Sequence, residues 1–272
     1  MYDAVAKTNA VGESASADVD TGGCCPPASG AATCCGTNQD AAINAIISTR
    51  MGYTEDQIKA VPDGANMGLG CGAPLEVAKL QAGEVVVDLG SGGGFDCFLA
   101  AREVGESGMV IGVDMTPAMV SKARANAERG KYANVVFRLG EIEHLPIGND
   151  EVDVIISNCV INLSPDKLQV FDECWRVLKP GGRVAFSDVV ATIELPEEMR
   201  RDAFLIGACI GGASLITDLQ SMLENAGFVD VSIEPKDDSR DFIREWAPGR
   251  SVEDYVVSAY ITARKPEQTK CC

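Results

Sequence analysis

The chain has 272 residues, 46% hydrophobic and 23% charged, which is the composition of an ordinary globular protein long enough to bury a substantial core. A formal charge of −17 at pH 7 repels phosphate backbones and argues against nucleic acid as a partner. No apolar run reaches the ~18 residues a membrane span needs, and the opening MYDAVAKTNAVGESASADVD lacks the basic and apolar regions of a signal peptide, so the expected compartment is the cytoplasm.

Residues 1–40 are small and polar and read as a flexible Cys-rich N-terminal arm carrying Cys24-Cys25 and Cys34-Cys35. Residues 41–80 read as a helical cover. An apolar helix spans Ala42–Ile47, and Thr54 ahead of Glu55 and Asp56 has the pattern of an N-cap. The Gly-rich GANMGLGCGAP follows. Residues 81–190 then follow a regular alternation of strands and helices. Strand Glu84–Asp88 precedes helix Phe95–Glu103, and strand Met109–Asp114 precedes helix Pro117–Arg129. Strands Val135–Leu139 and Val152–Asn158, helix Asp166–Leu178 and strand Arg183–Asp188 complete the series. Runs such as VVVDL and VDVIIS are apolar throughout, as strands are when both faces of a parallel sheet are covered. Residues 191–272 read as a helical insertion over Leu195–Cys209, a helix Thr217–Ala226 closed by Gly227, strands Val229–Glu234 and Val256–Ala263, and a short Cys-ended tail. The whole is an α/β fold, a single domain with attached arms.

Two features carry chemistry. The first is VVVDLGSGGGFD, which places Gly90, Gly92 and Gly94 where a strand turns at once into a helix, so that a ligand can approach the backbone beside a helix N-terminus. An ordinary βα turn is one alternative. The nicotinamide-dinucleotide fingerprint is another, but it requires glycine where Phe95 stands. Asp88 suits an ammonium group better than a pyrophosphate. Asp114, ending the second strand, is placed to accept both hydroxyls of a ribose. The second feature is eleven cysteines beside a single histidine, His144, in spacings that fit neither zinc knuckles nor a small disulfide scaffold. This points to soft, thiophilic chemistry.

The D-x-G-x-G-x-G loop, the acid at Asp114, the Gly140-Glu141-Ile142 turn and the strand-four end Asn158-Cys159 resemble the class I S-adenosylmethionine-dependent methyltransferases. Within that superfamily, GLGCGAP, SNCVINLSPDK, LPEEMRRDAFLIGACIGGA and VIGVDMTPAMV resemble the arsenite methyltransferase family over roughly residues 40–235. The resemblance implies a Rossmann-like, seven-stranded, mostly parallel sheet. It implies S-adenosylmethionine contacts from Asp88, Gly90, Ser91, Gly92, Asp114, Met115, Glu141, Ile142 and Asn158. It also implies that Cys71, Cys159 and Cys209 bind trivalent arsenic, as arsenite or methylarsenite. In that family a further upstream cysteine pairs with the one matched by Cys71 and is reduced by a thiol system such as thioredoxin or glutathione. Cys34 and Cys35 are the candidates for it here. Longer members carry a C-terminal domain where this chain has only Lys270-Cys271-Cys272.

Trivalent arsenic takes three thiolates in a pyramid and keeps a lone pair on the open side, so three thiols from separate segments suit it chemically. Cys97 and Cys174, on apolar helix faces, read as core residues. His144 reads as a turn residue, since a lone-pair attack on a methyl group leaves no proton to remove. Asp166 and Lys167 read as the start of a helix. Two competing readings are a methyltransferase for a small organic acceptor such as a quinone, and a non-catalytic thiol-rich metalloid-binding protein.

Overall fold

A computed structural model describes residues 37–267. The Cys24-Cys25, Cys34-Cys35 and Cys271-Cys272 pairs, and with them the expected arm and tail, lie outside the described residues. The elements run α1 (Thr37–Arg50), α2 (Glu55–Lys59), α3 (Leu75–Ala78), β1 (Val85–Leu89), α4 (Phe95–Val104), β2 (Met109–Asp114), α5 (Pro117–Gly130), β3 (Val135–Leu139) and β4 (Val152–Asn158). They continue with α6 (Lys167–Val177), β5 (Leu178–Ala191), α7 (Glu197–Arg201), α8 (Ala203–Gly207), α9 (Ile216–Asn225), β6 (Val229–Lys236), α10 (Arg240–Trp246) and β7 (Val256–Arg264).

The seven strands form one sheet in the order β3-β2-β1-β4-β5-β7-β6. The first five are parallel, and β7 runs antiparallel between β5 and β6. This bears out the Rossmann-like, mostly parallel expectation. The strand order reverses between β1 and β4, and ligands of open α/β sheets bind at such a switch point, beyond the strands' carboxyl ends.

Each face of the sheet has its own core. Phe171, Cys174 and Val177 of α6, with Leu219 and Leu223 of α9, cover one face. Cys97, Phe98 and Val104 of α4, with Val120 and Ala123 of α5, cover the other, together with Met51 and Tyr53. A third cluster gathers Cys71, Cys159 and Cys209 with Leu205, Ile210, Ile243 and Val256. Cys97 and Cys174 are fully buried, as the apolar helix faces predict. Among the described residues no helix is long and apolar enough to cross a membrane.

Four expectations need correction. The helix expected over Leu195–Cys209 is two short ones, because Asp202 leaves the helical region at φ −73°, ψ 113° and caps α8 by accepting from the Phe204 and Leu205 amides. The strand expected from Arg183 begins at Leu178. Its pairing with β4 shifts register across Pro180-Gly181-Gly182, where Gly181 adopts φ +82°. The sequence reading also lacks α10, whose Phe242, Glu245 and Trp246 line the functional cleft. The first helix, expected over Ala42–Ile47, extends to Thr37–Arg50. The Thr54 cap stands as expected, a full capping box with Gln57.

Candidate active site

A cleft of about 950 Å³ opens at the carboxyl ends of β1, β2 and β4. All nine residues expected on the cofactor side line it, as do Cys159 and Cys209. Cys71 lies directly behind Gly70 of its wall and is almost fully buried. The glycine loop forms the floor. At Gly90 the backbone has φ +70°, and a Cβ there would stand 2.3 Å from Val160 Cγ2, so no side chain fits. Gly94, at φ +92°, opens α4. The Asp114 carboxylate accepts from the Gly92 amide at 2.9 Å and the Thr116 amide at 2.8 Å, which fixes it over the loop with lone pairs to spare. Ser91 Oγ is buried without a hydrogen-bond partner, a donor that a polar ligand would satisfy.

Beside the loop lie two buried carboxylates. Asp88 accepts from the Cys97 thiol at 3.1 Å, and Asp96 accepts from the Tyr53 hydroxyl at 2.6 Å. Burial pushes both carboxyls up, Asp96 to about 6 and Asp88 well above its ordinary range. Among the described residues neither has a cationic side-chain partner. Two desolvated acids without a counter-ion suit a ligand that brings its own positive charge. Tyr53 and Asp96 belong to this buried network and were not singled out in sequence. In sequence, Asp96 is an acid in the first turn of a helix, which ordinary dipole complementation already explains.

Asn158 joins this floor to the first thiol. Its Nδ2 donates to Gly72 O at 2.7 Å and Tyr53 Oη at 3.0 Å and reaches Asp96 Oδ2 at 3.3 Å, while Oδ1 accepts from the Cys71 amide at 3.0 Å. The Cys71 carbonyl in turn accepts from Ser258 Oγ at 2.7 Å. The GLGCGAP segment, Gly-rich though it is, is therefore held fast at its cysteine.

The three thiols converge from three segments. Cys71 precedes α3, Cys159 leaves β4, and Cys209 follows α8. All are free and buried. One carboxylate oxygen of Asp188 and the sulfurs of Cys71 and Cys159 all lie within 4.8 Å of one another. The Cys209 thiol donates to the Cys159 carbonyl at 2.7 Å. Cys159 and Cys209 both adopt left-handed backbone, at φ +59° and +61°, a conformation that non-glycine residues hold only when their surroundings enforce it. Burial pushes the Cys71 thiol up, and Cys159 well up, with its two sulfur neighbours adding to the effect. They are therefore neutral thiols at rest. Asp188 accepts from the Ile161 and Val189 amides and the Asn162 side chain, and burial holds it at about 6.

His144 sits on a turn, its amide donating to Glu141 O, as expected. Asp166 caps α6 through the Gln169 amide. Lys167 does more than open that helix. Its ammonium donates to Gly212 O and to Ser214 Oγ.

Residues 80–227 match a methyltransferase domain family. The chain is 53% identical over 238 residues, 88% of its length, to an arsenite methyltransferase of Halobacterium salinarum, of which it covers 60%. It is 48% identical over 168 residues to the arsenite methyltransferase of Aquipseudomonas alcaligenes, covering 59% of this chain and 48% of that one. It thus spans less than two thirds of the length of these relatives. Among solved structures, an arsenic(III) S-adenosylmethionine methyltransferase of Chlamydomonas reinhardtii superposes with a TM-score of 0.59 at 33% identity, over 82% of this chain and 73% of that one. The chain belongs to the arsenite methyltransferase family of class I S-adenosylmethionine-dependent methyltransferases.

Proposed function

We propose that this protein transfers methyl groups from S-adenosylmethionine to trivalent arsenic held by Cys71, Cys159 and Cys209, and so serves arsenic detoxification. The observation that carries the reading is the convergence of three buried free thiols beside a cleft floored by a glycine loop and two uncompensated carboxylates. In this reading residues 41–80 cover the site, 81–190 form the cofactor-binding core, and 191–272 complete the arsenic side.

The residues present fit the methyl donor. Asp114 would take the ribose hydroxyls, Asp88 and Asp96 the cationic end, Ser91 Oγ a polar atom of the ligand, and Glu141 with Ile142 the adenine side. Bound there, the sulfonium supplies an electrophilic methyl group. On the other side, neutral thiols suit neutral arsenous acid. Three thiols replace three hydroxyls, each thiol proton leaving with a hydroxide as water, so no net charge enters the buried pocket. The trithiolate keeps its arsenic lone pair, which must face the methyl carbon at about 3–3.5 Å for in-line transfer. The arsenic forms the new As–C bond with that lone pair while the donor's C–S bond breaks. Arsenic thereby becomes pentavalent, and an external dithiol must return two electrons, ending as a disulfide, before the next round. A thioredoxin- or glutathione-type reductant fills this role, with Cys34 or Cys35 as resolving thiols. Free thiols at all five described cysteines support work in a reducing compartment, the cytoplasm.

The outer cleft is apolar, with Ile47, Leu163, Phe204, Phe242 and Trp246, which favours as second reading an apolar organic acceptor such as a quinone. One assay separates the two. The protein is incubated with methyl-labelled S-adenosylmethionine, a dithiol reductant, and either arsenite or a quinone panel. Label in methylated arsenic supports the proposal, and label only in a quinone overturns it.

A further inference from the structure

Cys209 sits on a turn between α8 and α9, outside any regular element. Backbone bonds such as the Cys209 amide to Ile206 O close the turn itself, and two side chains, Asn162 and Lys167, tie it to the segment that carries Cys159. Asn162 is buried and places Nδ2 against three acceptors, Cys209 O at 3.1 Å, Asp188 Oδ1 at 2.9 Å and Val189 O at 2.6 Å. Its own carbonyl lies so near Gly212 that a Cβ there would stand at 2.1 Å, so the two segments touch backbone to backbone. Lys167 then grips the far side of the same turn through Gly212 O and, at 3.0 Å, Ser214 Oγ. Ser214 is itself tied to β5, its carbonyl accepting from the Ala191 amide at 2.8 Å.

We propose that Asn162 and Lys167 are positioning residues that hold the Cys209 turn against the Cys159 turn, setting the separation of the two sulfurs that arsenic must bridge. The inference rests on the three-thiol reading above. It gives the NCVINLSPDK string a physical rationale, since one segment brings a thiol and also the clamp for a second thiol distant in sequence. The clamp also keeps Cys159 and Cys209 in their left-handed conformations, because neither turn can relax while the other is pinned to it.

The test is a double-mutant cycle on the full chain. Lys167→Met keeps the aliphatic stem and removes both donations, and Cys209→Ser removes the thiol that the clamp serves. Each single variant and the double variant are dialysed against arsenite under a phosphine reductant. The arsenic retained by a Cys71→Ser, Cys159→Ser, Cys209→Ser triple variant is subtracted as background. Arsenite KM, kcat and calorimetric S-adenosylmethionine affinity are measured in parallel. The expected result for Lys167→Met is a tenfold or greater loss of arsenite affinity with donor affinity within twofold of the parent. No further loss is expected when it is added to Cys209→Ser. A merely structural lysine would instead give the same fold loss in both backgrounds, or lose donor affinity too, and either overturns the proposal. If Lys167→Met does not fold, Ser214→Ala removes one of the two contacts, and a loss of about threefold confined to arsenite is expected, an unchanged affinity overturning the clamp. Should Cys209→Ser bind arsenite like the parent, the three-thiol reading falls and the clamp with it. Should Cys209→Ser lose binding while Lys167→Met keeps it, the clamp alone falls.

Discussion

Replacing Asn158 by alanine removes a side chain that touches the cleft floor and the first thiol's segment together. Two backbone groups, the Cys71 amide and the Gly72 carbonyl, lose their bonds of 3.0 and 2.7 Å, and the Tyr53 hydroxyl loses a donor at 3.0 Å. Leaving a buried polar group unsatisfied costs about 1–3 kcal/mol, so the two backbone groups alone predict a loss of roughly 2–6 kcal/mol. Tyr53→Phe, which takes a single 2.6 Å bond from the buried Asp96 carboxyl, provides the comparison at about 1–3 kcal/mol. Urea denaturation of both variants reads these values directly, provided the slope with denaturant is unchanged. Because the Cys71 amide hangs on Asn158, arsenite affinity of Asn158→Ala should fall tenfold or more. A denaturation midpoint equal to the parent's would refute the hub argument. So would a variant destabilised as expected whose arsenite affinity is intact, since the bond would then hold the fold but not the thiol.

Gly90→Ala forces φ +70° on a residue with a Cβ, at about 1–2 kcal/mol, and drives that Cβ into Val160; calorimetry should show S-adenosylmethionine binding lost, and retained affinity would mean the loop is no cradle. Asp96 sits at about 6 in the folded protein against an ordinary 3.8, so its proton stabilises the native state below about pH 4 and that contribution is lost as pH rises through 6. The difference corresponds to roughly 3 kcal/mol. Relative to the parent, ligand-free Asp96→Asn should therefore gain stability from pH 4 to 7, and parallel stability–pH curves would contradict the assignment. Finally, monomethylated arsenic has two exchangeable positions, and the Cys209 thiol already rests on the Cys159 carbonyl. Cys71→Ser should thus abolish methylation of arsenite and spare that of methylarsenite, whereas Cys159→Ser should abolish both; equal losses in Cys71→Ser would refute this division.

The sequence by itself determined the sheet and the glycine-loop side of the cleft. Apolar runs such as VVVDL and VDVIIS, bounded by turn residues and rich in β-branched side chains, read as strands covered on both faces, and a strand turning at once into a helix on Gly90–Gly94 leaves the backbone few alternatives. These are local constraints of periodicity, turn chemistry and glycine freedom, so they can be read from neighbours in the chain. The thiol residues could be named from their strings, but nothing local says how they meet. Leu195–Cys209 carries a helical pattern and still breaks at Asp202, because a side-chain cap there competes with the helix. Tyr53 and Asp96 look ordinary in sequence and, with Asn158, become a buried polar network only when α4, β4 and the segment before α2 are packed together. Lys167 reads as a helix opener until Gly212 is brought under its ammonium. The tertiary structure alone decided which polar groups were stripped of water. Desolvation makes Asp88, Asp96 and the Cys71 and Cys159 thiols chemically unusual, and it depends on what the rest of the chain packs against them.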